Sequence, residues 1–186
     1  MNLYIVRHGE TDWNKNKKIQ GLTDIELNEK GIYQANKMKE KLLNVNFDIC
    51  ICSPLKRAVK TAQIIVDQKC DIIVNEALLE RCFGNYEGQN SKEANIDIFK
   101  IWNLKENCKD NGIESLRDLL ERSDLFLKKF KEEYAQYKNV LIVSHGGFIK
   151  ALYYSLNGYD ENTDFLSFHL DNCEVYKHEI PTKIRK

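Results

Sequence analysis

The sequence predicts an α/β fold, a three-layer sandwich with a mainly parallel central sheet and helices on both faces. Two observations carry this. Short apolar runs rich in β-branched residues alternate along the chain with segments of helical periodicity. The clearest of these runs also lack polar alternation, as strands covered on both faces do. The 186 residues show no linker, repeat or Pro/Ser-rich stretch, so a single domain, 1–186, is expected, large enough to bury a substantial core.

The strand runs are Leu3–Val6, Phe47–Cys52, Asp71–Val74 and Val140–Val143. After the first, Asn28–Leu43 places Ile32, Ala35, Met38 and Leu42 at helical spacing. Asn28 is its N-cap, and Glu29 lies in the first turn, where the helix dipole favours an acid. Pro54–Asp67 reads as a second helix, with Ser53 at the N-cap and Pro54 at the first helical position. Ile113–Tyr134 is a third, its apolar face set by Leu116, Leu119, Leu120, Leu127 and Phe130; Gly146–Leu156 begins a fourth. Leu166–His169 and Glu174–Ile180 are expected to add one or two edge strands. The least regular stretch, about 82–111, is expected to fold over the sheet as a substrate-side insertion. Its aromatics, Tyr86, Phe99 and Trp102, either pack the insertion onto the core or line a ring-binding pocket.

Composition narrows the function. Lys plus Arg and Asp plus Glu cancel at 28 each, which gives no electrostatic case for nucleic acid or an anionic membrane as the main partner. The opening MNLYIVRHGE has too short an apolar run for a signal peptide, and no stretch approaches membrane-spanning length. Six cysteines, at 50, 52, 70, 82, 108 and 173, form no CxxC pair and no zinc-spaced group. They read as free, mostly buried thiols in a reducing cytoplasm, with no metal and no cofactor expected.

The chemistry gathers by position. Ligands of open α/β sheets bind beyond the carboxyl ends of the strands. Four segments follow predicted strands and present reactive groups there: Arg7-His8-Gly9-Glu10-Thr11, Ser53-Pro54-Leu55-Lys56-Arg57, Leu78-Leu79-Glu80-Arg81 and Ser144-His145-Gly146-Gly147. Arg57 falls in the first turn of a helix, where a cation is unfavourable unless an anion sits opposite. Alone, it reads as an arginine turned to solvent or paired with a carboxylate. Beside Arg7, His8 and His145 it becomes part of a cationic cluster, and a phosphate fits the fork that a guanidinium presents.

Within that cluster the arginines should lower the His8 pKa and keep the imidazole neutral. One ring nitrogen is then held as a donor by a backbone carbonyl in the following turn, and the other is left as a nucleophile. Gly9 lets the chain turn tightly. Gly146 and Gly147 leave backbone N–H groups open to an anion, and His145 can donate to a phosphoryl oxygen. Glu80 is either the proton donor to the leaving oxygen, or the partner of a plain ion pair with Arg81.

These strings resemble those of the histidine phosphatase superfamily. Arg7-His8-Gly9-Glu10-Thr11 with Trp13-Asn14 is similar to its signature. Ser53 to Ala58, continued by Thr61-Ala62, resembles its second arginine segment, Leu79-Glu80 through Phe83-Gly84 and Glu87-Gly88 its acid segment, and Ser144 to Gly147 its second-histidine segment. Order and spacing agree across nearly the whole chain. The resemblance implies a phosphoglycerate mutase-like fold and a phosphate pocket of Arg7, His8, Arg57 and His145, with Gly146 and Asn14 beside it. It also implies Glu80 as proton donor, Gln20-Gly21 on the substrate side, and no metal. Mutases of the family carry His, Tyr and Asn where this chain has Cys82, Phe83 and Gly147, and no arginine occurs from Cys82 to Ser115. The small-phosphatase branch is the closer likeness, although Glu80-Arg81 looks mutase-like. The expected activity is hydrolysis of a small-molecule phosphomonoester through a phosphohistidine. The alternatives are a 2,3-bisphosphoglycerate-dependent phosphoglycerate mutase and a silent phospholigand-binding module. A homodimer is compatible with the sequence.

Overall fold

In the computed structural model, which describes residues 1–181, the four strand runs become β1 (Asn2–Arg7), β2 (Ile49–Cys52), β3 (Ile72–Val74) and β4 (Asn139–Ser144), joined by β5 (Val175–Glu179). The helices are α1 (Asp12–Lys15), α2 (Glu29–Lys41), α3 (Lys56–Val66), α4 (Ile98–Ile101), α5 (Leu116–Glu133) and α6 (Gly146–Asn157). Strand order is β3-β2-β4-β1-β5, with only β5 antiparallel.

This order positions the site. The last strand of the parallel set, β4, lies between β1 and β2. The register pairs Arg7 with Ser144 and Cys52 with Val143. His8 N–H donates to the Ser144 carbonyl and Ser53 N–H to the Val143 carbonyl, both at 3.0 Å, so the ladder runs one residue past each strand. His8, His145 and Ser53 therefore leave the sheet side by side.

Side-chain alternation builds the three layers. Leu3, Ile5, Ile49, Ile51, Val140 and Ile142 face α5 and α6 and pack with Leu119, Leu120, Phe130, Phe148 and Leu152. Val6, Cys50, Cys52, Leu141 and Val143 face α2 and α3 and meet Met38, Ala58, Ala62 and Ile65. Both faces are apolar, which is why the strand runs carry no polar alternation.

Four expectations change. α3 begins at Lys56 with Leu55 as its N-cap and no capping side chain of its own; Ser53 turns into the site, and Asp24 Oδ1 from another loop accepts the Lys56 N–H at 2.8 Å. Ile32 is 39 % exposed, because α2 buries Gly31, Ala35 and Met38 and position 32 lies about 100° off that stripe. β3 is an open edge, with Ile73 and Val74 exposed. Leu166–His169 forms no strand: the Phe168 ring stacks on Tyr153 at 3.9 Å, and the Lys150 ammonium donates to the carbonyls of Phe165 and Phe168. In the irregular stretch, Ala94, Ile101, Trp102, Leu104 and Cys108 are buried while Phe99 faces out, so Trp102 serves packing.

Ile142 sits at the centre of the central strand with no exposure. Ile142→Ala should lower unfolding free energy by about 2–5 kcal/mol without changing the far-ultraviolet spectrum, read by urea titration.

Candidate active site

The ends of β1, β2 and β4 deliver the cluster. His8 is 2 % exposed, and its Nδ1 donates to the Gly9 carbonyl at 2.7 Å. That bond fixes the hydrogen on Nδ1 and leaves the lone pair on Nε2. Burial, then Arg57 and Arg7, hold the ring well below the ordinary histidine pKa of 6.5. Gly9 is required by a close approach more than by a turn: a Cβ there would lie 2.5 Å from the Gly31 carbonyl oxygen at the start of α2.

His145, fully buried, is the N-cap of α6. Arg57 Nε donates to its Nδ1 at 3.2 Å, so the ring hydrogen resides on Nε2, 2.7 Å from Ser53 Oγ. Burial lowers its pKa well below 6.5, and Arg57, His8 and Arg7 add to the effect. The two imidazoles lie 5.1 Å apart between centroids.

Arg57 is wholly buried in the first turn of α3. Backbone carbonyls, not a carboxylate, receive it: Nη1 donates to Thr23 O and Nη2 to Gly21 O, each at 2.8 Å. Burial lowers its pKa to about 10, against the opposing pull of Glu80, Asp24 and Glu87. Arg7 Nη1 donates to Leu170 O at 2.9 Å, and its buried Nε has no hydrogen-bond partner among the described residues. Gly146 lies flat against this guanidinium, where a Cβ would come within 3.4 Å of Cζ.

Glu80 makes no ion pair with Arg81. Its carboxylate accepts the N–H groups of Gly147 and Phe148, both at 3.1 Å, and that of Arg81 at 2.8 Å. Of the two helix N–H groups expected to await an external anion, that of Gly147 is thus filled by the protein's own acid, which also takes the next one, while that of Gly146 is not bound by it. Gly147 permits this, since a Cβ there would fall 2.5 Å from Glu80 Oε1. Arg81 instead lies over the Trp102 ring at 4.7 Å and donates from Nε to Glu114 O.

The remaining expected residues form a second ring. Asn14 Oδ1 accepts the Thr11 N–H, capping α1, and Gln20 Oε1 accepts from Thr11 Oγ1. Gly21 contributes its carbonyl to Arg57. Three further residues of the site were not assigned a role in it from the sequence. Ser53 was readable, because it follows β2 as His8 follows β1. Thr61, which accepts the Gly9 N–H at 3.0 Å, was read only as a continuation of the second arginine segment, and Asn172, which donates to the His8 carbonyl at 2.9 Å, gave no local signal. Among the described residues no group of three or more His, Cys, Asp or Glu could hold a metal ion, and no helix is long and apolar enough to cross a membrane.

Residues 3–183 match the histidine phosphatase superfamily (branch 1). The chain belongs to that superfamily. It is 37 % identical over 174 residues to the uncharacterized phosphatase PhoE of Bacillus subtilis, covering 91 % of this chain and 86 % of the relative. A 2,3-bisphosphoglycerate-dependent phosphoglycerate mutase of Cytophaga hutchinsonii is 35 % identical over 158 residues, covering 81 % of this chain and 74 % of the relative. The crystal structure of a phosphoserine phosphatase mutant from Entamoeba histolytica, in complex with phosphoserine, superposes with a TM-score of 0.82. Its identity is 34 %, and the match covers 95 % of this chain and 89 % of that one. The fold is thus phosphoglycerate mutase-like. The chain is a phosphatase of the histidine phosphatase type, a family that hydrolyses phosphomonoesters through a phosphohistidine.

The depressed histidine pKa values set a pH dependence. Below 6.5 the unfolded chain takes up protons on His8 and His145 that the folded chain refuses, so stability falls as pH drops. Each histidine should contribute up to about 1.4 kcal/mol per pH unit below that point. Urea titrations from pH 7 to 5 should show this slope, and it should flatten when both residues are changed to Asn.

Proposed function

We propose that His8 Nε2 attacks the phosphorus of a small-molecule phosphomonoester, forming the N–P bond as the P–O bond to the leaving group breaks. The observation that carries this is the His8 ring itself: neutral, with Nδ1 locked on Gly9 and Nε2 free among Arg7, Arg57 and His145. Arg7 and Arg57 hold the phosphoryl oxygens, with Gly146 packed against Arg7 and Asn14 alongside. His145 exchanges its Ser53 contact for a phosphoryl oxygen and donates from Nε2 as charge builds there. Glu80 leaves the α6 N-terminus, takes up a proton from solvent as it gives up those N–H contacts, passes it to the leaving oxygen, and then takes one from the water that cleaves the phosphohistidine. The Gln20-Gly21 turn and the 82–111 insertion form the substrate side of one domain. No step calls on a metal or cofactor. A cytoplasmic location belongs to the same reading, supported by six unpaired thiols, four of them buried.

His8→Ala should lower kcat by on the order of 10³-fold or more. Alkaline quenching of wild type with labelled substrate should trap label on His8; a His8→Ala enzyme with wild-type turnover refutes the mechanism. Glu80→Gln should slow alkyl phosphates by roughly 10²–10⁴-fold. It should affect p-nitrophenyl phosphate far less, since that leaving group departs without a proton; equal losses on both would remove Glu80 as the acid. Isomerisation of 3-phosphoglycerate outpacing phosphate release would move the chain to the mutase branch. Phosphate binding without turnover would make it a silent module.

A further inference from the structure

We infer that Glu87 is a positioning residue: it clamps the Gly21–Thr23 turn so that the turn presents Arg57 to the phosphoryl group. This rests on the reading of Arg57 given above. The Glu87 carboxylate accepts four hydrogen bonds. Oε1 takes the N–H groups of Leu22 at 3.0 Å and Phe83 at 3.1 Å; Oε2 takes the Thr23 N–H at 2.9 Å and Thr23 Oγ1 at 2.6 Å. From the opposite side, Arg57 donates to the carbonyls of Gly21 and Thr23.

The Gly21 carbonyl and the Leu22 N–H belong to one peptide unit. A single amide therefore has a carboxylate on its hydrogen and a guanidinium on its oxygen. Each charge polarises the amide in favour of the other, so losing Glu87 weakens the acceptor that aims Arg57 Nη2. Gly21 is built for this arrangement. Its φ is +55°, and a Cβ would fall 1.9 Å from Glu87 Oε1, so a larger residue would evict the carboxylate. Arg57 in turn fixes His145 through Nε. The chain of contacts runs from Glu87, through the turn, to the side chains facing the phosphate, and Glu87 touches none of the reacting atoms. The Phe83 contact also joins the turn to the start of the 82–111 segment. Substrate-side backbone and phosphate pocket are thereby set by one carboxylate.

The test reads oxyanion binding on the purified full chain by calorimetry, with orthovanadate and inorganic phosphate as probes, so it needs no turnover. Glu87→Gln keeps the shape but turns an NH2 toward backbone donors. It should weaken vanadate binding about tenfold and lower kcat more than it changes KM. In an Arg57→Ala background the same change should cost nothing further, because its effect runs through Arg57. Losses that multiply in the double variant, or unchanged vanadate affinity in a folded Glu87→Gln protein, would overturn the inference. Should Glu87→Gln not fold, Thr23→Val, which removes one of the four contacts, decides by the same cycle with a loss of about threefold. A wild type that binds neither oxyanion would remove the phosphate-site reading and this inference together. A wild type that binds both, with Glu87 variants unaffected, would remove this inference alone.

Discussion

Of four groups that are or can become cations, Arg57, His8 and His145 are packed out of water at the carboxyl end of the sheet, and Arg7 beside them is half-buried with its Nε enclosed. Burying charge in this way is expensive unless it is matched by fixed dipoles or opposite charge. Much of the architecture around the site answers that demand. The guanidiniums donate to backbone carbonyls of Gly21, Thr23 and Leu170, which stabilise positive charge without neutralising it. The histidines respond in the other way, by giving up their protons. The pocket remains electropositive, with an Arg7 Nε that has no partner among the described residues, while the His8 ring stays uncharged.

Strand order makes the cluster. Because β4 is inserted between β1 and β2, three strand ends carrying His8, His145 and Ser53 are adjacent in space although they lie far apart in the chain. Arg57 follows from the helix that leaves β2, and Glu80 arrives from the segment after β3 to dock on the helix that leaves β4. Glycine is used where backbone or a charged group must come closer than a Cβ allows: Gly9 against α2, Gly146 against Arg7, Gly147 under Glu80. These contacts couple the two helical layers to the rim, so the core and the site are parts of one packing problem.

Glu80 illustrates how the same chemistry can be held in reserve. Docked on the α6 N-terminus, its carboxylate occupies the dipole end that would otherwise draw in an anion. In the proposed mechanism, movement toward a leaving group exchanges those N–H contacts for the substrate and reopens the helix end as phosphoryl charge develops beside it. The same mechanism has His145 make a parallel exchange of its Ser53 contact. Both side chains wait on protein groups that a phosphate can replace.

The sequence by itself determined the strand runs and most of the helices, because hydrophobic period and helix-start chemistry are local properties. It also determined that Arg7, His8, Arg57, Glu80 and His145 would share a rim, because position at a strand end follows from those runs. Only the tertiary structure decided how each charge is satisfied. Arg57 looked misplaced in the first turn of its helix until Gly21 and Thr23 supplied carbonyls from more than thirty residues away. Ser53, read as a helix cap, turned to His145 because Asp24 had taken over the start of α3. Gly147, read with Gly146 as an open anion site, proved to be the berth of Glu80. The physical reason is the same in each case: a hydrogen bond between distant segments depends on how the layers pack, and no local pattern in the chain encodes its partner.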